Sequence, residues 1–464
     1  MKLEDISKVV DDNTDKIYEG LESLCICFPA RLSGSEILEK SLDFLFEYGK
    51  LYVPEEHCRE ERVEGVPQWI RGDWKEEYCT INIVPESSAW PMPFPLERTI
   101  QVLANGMSVG TPQGGVSADL VLVSNWDELS SLGKAGSLRG KLVLYDYKRF
   151  SDYGGVSAYR YNGWYKASEY GAVGVLVRSL TPDDSTSGAH TGTQRAPALE
   201  PSGQPVPIPG ACIAVEDAEM LRRLVQRGHR ISATLHLPCQ VLPPVTSRNL
   251  SFEIRGSKLP DEVVLLGAHA DCWDCIKRGC QGAHDDGQGV VIAIELLRIL
   301  YEKNWRPKRT IRVVVYTDEE VMSTGGIEYA KLHEGEVRSI KVAIETDLGV
   351  GPVAGYGCTA SGPMKDFLRS IILPPLRQLL SDGDLEIKDE WTGRGVDIGP
   401  LLDHQVPGLL LRHYDAWWTR DYFHYHHTNS DSIDKIDKGR LAQNAKALLL
   451  TAWVLANVDT YPDV

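Results

Sequence analysis

The stretch 263–289, VVLLGAHADCWDCIKRGCQGAHDDGQG, limits what this chain can fold into more than any other segment. It opens on Val263-Val264-Leu265-Leu266, an apolar run of the length of a buried strand. His269, Asp271, Asp274, His284, Asp285 and Asp286 follow in a polar loop, and 290–300 then shows apolar residues at helical spacing. Strand, polar loop, helix is the unit of α/β proteins, which keep their chemistry at the carboxyl ends of strands. The pattern returns twice. The apolar strand pattern at 311–316 runs into Thr317-Asp318-Glu319-Glu320, and that at 342–344 into Glu345-Thr346-Asp347.

Each cluster alone has an ordinary reading. A His and an Asp two residues apart fit a solvated loop, three consecutive acids fit a surface turn, and an acidic pair before a helix complements its dipole. Placed together at successive strand ends, they read as a metal site. Imidazole and carboxylate, without paired thiolates at finger spacing, suit a catalytic zinc-like ion. In that reading His269 is a ligand and Asp271 stands behind it. Of Glu319 and Glu320, one binds metal while its neighbour takes a proton. A further cluster, His424-Tyr425-His426-His427-Thr428, puts three histidines in four residues, and spacing does not choose between His426 and His427.

The pattern after Pro243-Pro244 predicts an α/β sandwich with a mixed, mostly parallel sheet between helices. Its strands fall at 250–254, 263–266, 311–316, 342–344 and 408–411, and its helices at 289–302, 325–332, 364–380 and 438–458. Pro374-Pro375 are expected to interrupt the third helix. Residues 4–51 read as helical with a break at 28–35, Ser35 capping a helix over 36–48. Pro91, Pro93 and Pro95 mark a linker. The block 101–240 differs in character: short strands at 119–123, 141–145, 173–177 and 211–215 alternate with helices under heavy Gly, Ser and Pro punctuation. We read it as an inserted α/β domain, with 1–100 and 241–464 forming one body around it.

With 49 Lys+Arg against 65 Asp+Glu, the net charge is −16. An acidic chain without basic runs is a poor partner for nucleic acid. Its longest apolar stretches fall short of the roughly 20 residues of a membrane span. The N-terminus shows neither an apolar h-region nor a cleavage pattern, so no signal peptide is expected. Ten cysteines are too few for a disulfide-built fold. Cys272, Cys275 and Cys280 fall in one surface loop, expected to carry a disulfide or free thiols. The sequon Asn249-Leu250-Ser251 is weak support for a secretory route.

The order His269, Asp285, Glu319-Glu320, Asp347, His427 resembles the M28 family of co-catalytic zinc peptidases, on its glutamate carboxypeptidase side. So do Ala30-Arg31-Leu32-Ser33-Gly34-Ser35, Gly110-Thr111-Pro112, His190-Thr191-Gly192 and 306–310. The resemblance implies a zinc exopeptidase fold with a protease-associated (PA) domain at 101–240. It also implies two zinc ions, with His269, Glu320, Asp347 and His427 as terminal ligands and Asp285 as the bridge. Glu319 becomes the general base, with Asp271 completing the catalytic pair behind the ligands, and a cis peptide is placed after Asp285. The implied activity is hydrolysis of small peptides, in particular dipeptides with free termini, by a homodimer in a secreted or lysosomal setting. A cytosolic relative, an aminopeptidase of the same family and a non-catalytic receptor-like or scaffold member are the alternatives. The loop between Asp274 and Gln281 is longer than in relatives, and residues 386–404, with Arg394 and Asp397, are expected to line or support the substrate pocket.

Overall fold

Apolar runs of the kind at 263–266 and 311–316 need both faces covered, and the chain provides this by burying them at the centre of a large sheet. The computed structural model of the protein describes residues 2–84, 96–150, 153–195, 207–275, 280–389, 391–414 and 420–462. The Pro91–Pro95 linker lies outside the described residues. Eight strands form the sheet in the order Cys58–Ile70, Gln240–Ile254, Arg309–Tyr316, Leu259–His269, Ile340–Glu345, Gly408–His413, Val353–Cys358 and Glu386–Lys388. The four inner strands, from Arg309–Tyr316 to Gly408–His413, run parallel. Antiparallel pairings appear towards both edges, so the sheet is mixed.

Side-chain alternation divides each inner strand between two cores. Val264, Leu266 and Ala268, with Val313 and Val315, pack under the helices Gln288–Glu302 and Lys438–Asn457. Val263, Leu265, Val314 and Tyr316 face the other way, onto Tyr329, Ile398 and Leu401 from the helices Thr324–Leu332 and Gly399–Asp403 and the turn before the latter. Ser35 caps Glu36–Lys50, its Oγ accepting from Leu38 N at 3.2 Å. The helix Gly362–Leu380 passes through Pro374-Pro375 without the expected interruption. Its stripe Met364, Leu368, Ile372 and Leu376 stays buried on both sides of the prolines, and that packing outweighs the lost backbone bonds. No helix among the described residues is long and apolar enough to cross a membrane. Asn249 of the sequon is buried, its Nδ2 donating to the Gly325 carbonyl at 2.9 Å.

Between the paired strands Cys58–Ile70 and Gln240–Ile254 the chain builds a second body, a closed seven-stranded barrel. Its strand order is Tyr78–Val84, Leu96–Ala104, Gly210–Ile213, Gly174–Arg178, Leu142–Tyr145, Val116–Val123 and Arg230–His236. The four short strands read from the sequence are all in it. The boundary expected at 100/101 falls inside the strand Leu96–Ala104. Tyr78–Val84, placed on the other side of that boundary, is a barrel strand because it is paired along its length with Arg230–His236, from Tyr78 opposite His236 to Val84 opposite Arg230. The helices Trp126–Lys134, Tyr153–Glu169 and Val215–Gln226 contribute to the barrel's own core.

Candidate metal centre

Parallel strands in register deliver their ends to one edge. His269 is the last residue of its strand and stands opposite Tyr316, and Gly267 opposite Glu345. The residues just beyond, Thr317–Glu320 and Thr346-Asp347, therefore converge on His269. His269 Nε2 lies 3.3 Å from Asp285 Oδ1 and 3.4 Å from Asp347 Oδ1. On the other side of Asp285, its Oδ2 lies 3.1 Å from His427 Nε2, which is also 2.9 Å from Glu320 Oε2. Two donor groups result, His269/Asp285/Asp347 and Asp285/Glu320/His427, each spanning at most 4.8 Å and sharing Asp285. The Asp285–Asp286 peptide is cis. His426 stacks on His427 with centroids 3.6 Å apart, and its Nε2 lies 3.5 Å from Asp285 Oδ2.

The charges call for a cation. Burial pushes the carboxyl of Asp347 up to about 8 against the pull of His269. It also raises Glu319 and Glu320 above the usual carboxylate range. Burial lowers the His427 imidazole, but Glu320 and Asp285 outweigh it and lift the group to about 10. Four carboxyl groups crowd around two imidazoles, and their raised values are the cost of ionising them together in a buried site without a cation to offset the charge. Glu320 Oε1 is buried without a hydrogen-bond partner. Carboxylate oxygens and imidazole nitrogens in these numbers fit divalent zinc.

The loop carrying Asp285 is pinned from the N-terminal segment. Fully buried Arg31 donates from Nε to the Ala270 carbonyl at 2.6 Å, from Nη1 to Gln281 at 2.7 Å and from Nη2 to Gly282 at 3.2 Å. Ser33 Oγ donates to Asp271 Oδ2 at 2.8 Å. The Asp271 carboxylate in turn accepts from the backbone N–H of Glu319 at 3.1 Å and of Glu320 at 3.2 Å. His269 Nδ1 meets the backbone carbonyl of Asp271 at 3.1 Å, with the carboxylate 3.8 Å away. Asp271 therefore supports His269 through its main chain and the Glu319-Glu320 turn through its side chain. Asp431 accepts from His284 N at 2.7 Å and Asp285 N at 3.2 Å, fixing the loop's far end.

The remaining acids and histidines of the opening stretch have structural partners. Asp274 pairs with Arg71 at 2.9 Å, and His284 Nδ1 accepts from Val350 N at 3.1 Å. Glu345 accepts from the backbone N–H of Asp397 and Ile398 at 3.0 and 2.9 Å, so Asp397 is buried beneath the sheet edge. Arg394 instead lines a cavity of about 1000 Å³ with Arg195, Met322 and Ser323, beside the Glu319-Glu320 turn. Cys272, Cys275 and Cys280 are free thiols, one of the two expected states, but they are buried rather than at the surface, the latter two packed with Trp273 against the barrel core. No candidate donor group among the described residues includes a cysteine.

Several residues at the centre carry no signal in single-sequence patterns. Trp273 donates from Nε1 to Glu320 Oε2 at 2.6 Å. The barrel adds Arg160, whose Nη1 lies 3.4 Å from His427 Nδ1, and the Thr191 carbonyl, 3.2 Å from the same nitrogen. The sequence marks 28–35 as a helix break with Ser35 as a cap but gives Arg31 and Ser33 no role, and 190–192 stands out only through the family resemblance.

Residues 249–452 match the model of peptidase family M28. Carboxypeptidase Q from Mus musculus is 32% identical over 450 residues, covering 96% of this chain and 86% of that one. The human carboxypeptidase Q is likewise 32% identical over 451 residues, with the same coverage. This chain belongs to peptidase family M28. A solved M28 peptidase precursor from Shewanella amazonensis superposes over 100% of this chain and 99% of its own, with a TM-score of 0.83 at 31% identity. A zinc aminopeptidase from Bacillus subtilis shares the M28 fold at 19% identity, with a TM-score of 0.65 over 97% of this chain and 96% of that one. The mixed α/β architecture is thus that of M28 peptidases, and the donor groups lie where its parallel strands end.

Proposed function

We propose that the protein is a co-catalytic dinuclear zinc exopeptidase that hydrolyses small peptides, in particular dipeptides with free termini. The observation that carries this reading is Asp285 shared between two donor groups. His269 and Asp347 complete one group, Glu320 and His427 the other. When bound, two zinc ions supply Lewis acidity towards a carbonyl and lower the pKa of water. The chain does the rest. Glu319, adjacent to a ligand and held by the Asp271 carboxylate through its N–H, accepts the proton of the attacking water and passes it to the leaving amine. Asp271 keeps Glu319 and Glu320 in fixed relation, so that one serves as base while the other binds metal. The Thr191 carbonyl accepts from His427 Nδ1, leaving Nε2 free for the ion. Two zinc-peptidase features are included in the reading: the barrel as a PA domain that walls one side of the centre, and a homodimer in a secreted or lysosomal compartment.

Removal of metal with a chelator and readdition of zinc, with metal content measured by mass spectrometry, tests the centre. The expected result is loss and recovery of hydrolysis at two zinc ions per chain. A panel of free dipeptides, N-blocked peptides and aminoacyl-nitroanilides tests specificity. Turnover of the nitroanilides alone would make the protein an aminopeptidase, and no metal-dependent turnover at all would favour the scaffold role.

A further inference from the structure

The barrel brings to the metal centre one histidine that the proposed reaction leaves unused. His190 is fully buried, and neither of its ring nitrogens has a hydrogen-bond partner. Its backbone N–H, donating to Ser179 Oγ at 3.0 Å, fixes where the residue sits. The ring centroid is 5.1 Å from that of His427 and 5.4 Å from that of His426. One nitrogen from each of the three rings lies within 4.8 Å of the others. Leaving a buried polar group unpaired destabilises a fold. A fold that keeps such a group beside its reactive centre has reason to present it to a ligand.

Two occupants fit three imidazoles, a further cation or an oxygen of the substrate. A further cation would need His427 as a shared ligand. The Nε2 of that ring already faces Glu320 and Asp285, and its Nδ1 lies 3.4 Å from Arg160 Nη1. An ion on the Nδ1 side would stand beside a buried guanidinium, a like-charge pair in a dry interior. An oxygen gaining negative charge meets the opposite situation, because Arg160 Nη2 is also buried and has no acceptor.

We propose that His190, carried by the barrel, is a catalytic residue that donates a hydrogen bond to the scissile carbonyl oxygen as that oxygen becomes an oxyanion, with Arg160 supplying positive potential behind it. The assignment rests on the peptidase reading above. It makes the barrel part of the reaction centre rather than only its wall.

The test uses the full-length, zinc-loaded protein with His190→Ala and His190→Gln. Measured are kcat and KM on a free dipeptide, zinc content, and affinity for a phosphinic dipeptide analogue, whose tetrahedral centre carries anionic oxygens. His190→Ala is expected to lower kcat about 10²–10³-fold, as loss of one oxyanion donor does. KM should stay within about threefold and phosphinate affinity should weaken in step with kcat/KM. Zinc content should not change, and Gln, which keeps a side-chain N–H, should recover part of the rate. Loss of zinc from His190→Ala would make the residue a ligand and overturn the proposal. An unchanged kcat would reduce it to packing and overturn it equally. If the unsubstituted protein cleaves no peptide, the peptidase reading fails and takes this one with it. An active protein with an equally active His190→Ala sinks this one alone.

Discussion

Arg31→Met is the substitution that best separates the architecture of the centre from its ligands. The side chain touches no proposed ligand, yet it holds both ends of the loop between His269 and Asp285 through Ala270, Gln281 and Gly282, and also the Phe28 carbonyl at 3.1 Å. Methionine fills most of the volume and removes every donor. Each lost bond to a charged donor is worth about 1.5–3 kcal/mol before relief of the buried charge is counted. That relief offsets part of the loss, because a fully buried guanidinium is itself costly. A net destabilisation of about 3–5 kcal/mol follows, in the range for breaking a buried charged network. Zinc affinity should drop by about 10–100-fold, the usual effect of losing an outer partner. Arg31→Lys keeps the charge and should restore only part of both, since one ammonium cannot span four separated carbonyls. Thermal unfolding of zinc-free protein gives the first quantity, and a competition titration with a chromophoric chelator gives the second. Wild-type zinc affinity in an Arg31→Met protein that has lost less than about 1 kcal/mol, the worth of a single neutral hydrogen bond, would refute the reasoning.

Other perturbations address different parts of the molecule. Glu319→Gln should keep its zinc while kcat falls by about 10²–10⁴-fold, and zinc lost together with activity would mean the base and ligand roles of Glu319 and Glu320 are reversed. Gly289→Ala, although alanine is the better helix former, should weaken zinc binding: its Cβ would lie 2.5 Å from Asp286 Oδ2 and disturb the residue next to Asp285, the proposed bridge, as a zinc titration would register. Burial lowers the His413 imidazole to about 4, where it remains bonded to Asn444 at 2.6 Å. The unfolded chain therefore binds this proton first, so the stability His413 contributes is whole above about pH 6.5 and is lost as pH falls towards 4. Urea unfolding across that window should show stability falling with acidification, and His413→Gln should flatten the slope.

The large sheet was readable because strands buried on both faces must be apolar along their length, so their ends stand out where acids begin. That is why His269, Glu319-Glu320 and Asp347 could be picked from spacing. The barrel was harder. Tyr78–Val84 pairs with residues some 150 positions later, and nothing within its seven residues announces that partner. Arg31 acts on carbonyls about 240–250 residues away, a contact that hydrophobic periodicity does not encode. The three cysteines are harder for a related reason: polar neighbours such as Asp274 suggest a surface, while Trp273 bonds Glu320 and Asp274 pairs with Arg71 in the interior. Pro374-Pro375 show local propensity yielding to a buried stripe.

The paired strands that lead into and out of the barrel have a consequence for how the molecule could be rebuilt. Cys58–Ile70 and Gln240–Ile254 stay side by side from Cys58 opposite Phe252 to Ile70 opposite Gln240. The whole barrel therefore leaves and re-enters through two points about 5 Å apart, the spacing of neighbouring strands. To the sheet, this large insertion is no wider than a hairpin turn. A different domain with adjacent termini could take its place without asking the strands that carry the candidate ligands to move, and the ribbon would be the natural axis for any swing of the barrel over the site. In such a chimera the donors at the sheet edge would remain, while the Thr191 carbonyl, Arg160 and His190 would be gone. The stem thus lets ligand assembly and the covering of the site be altered independently.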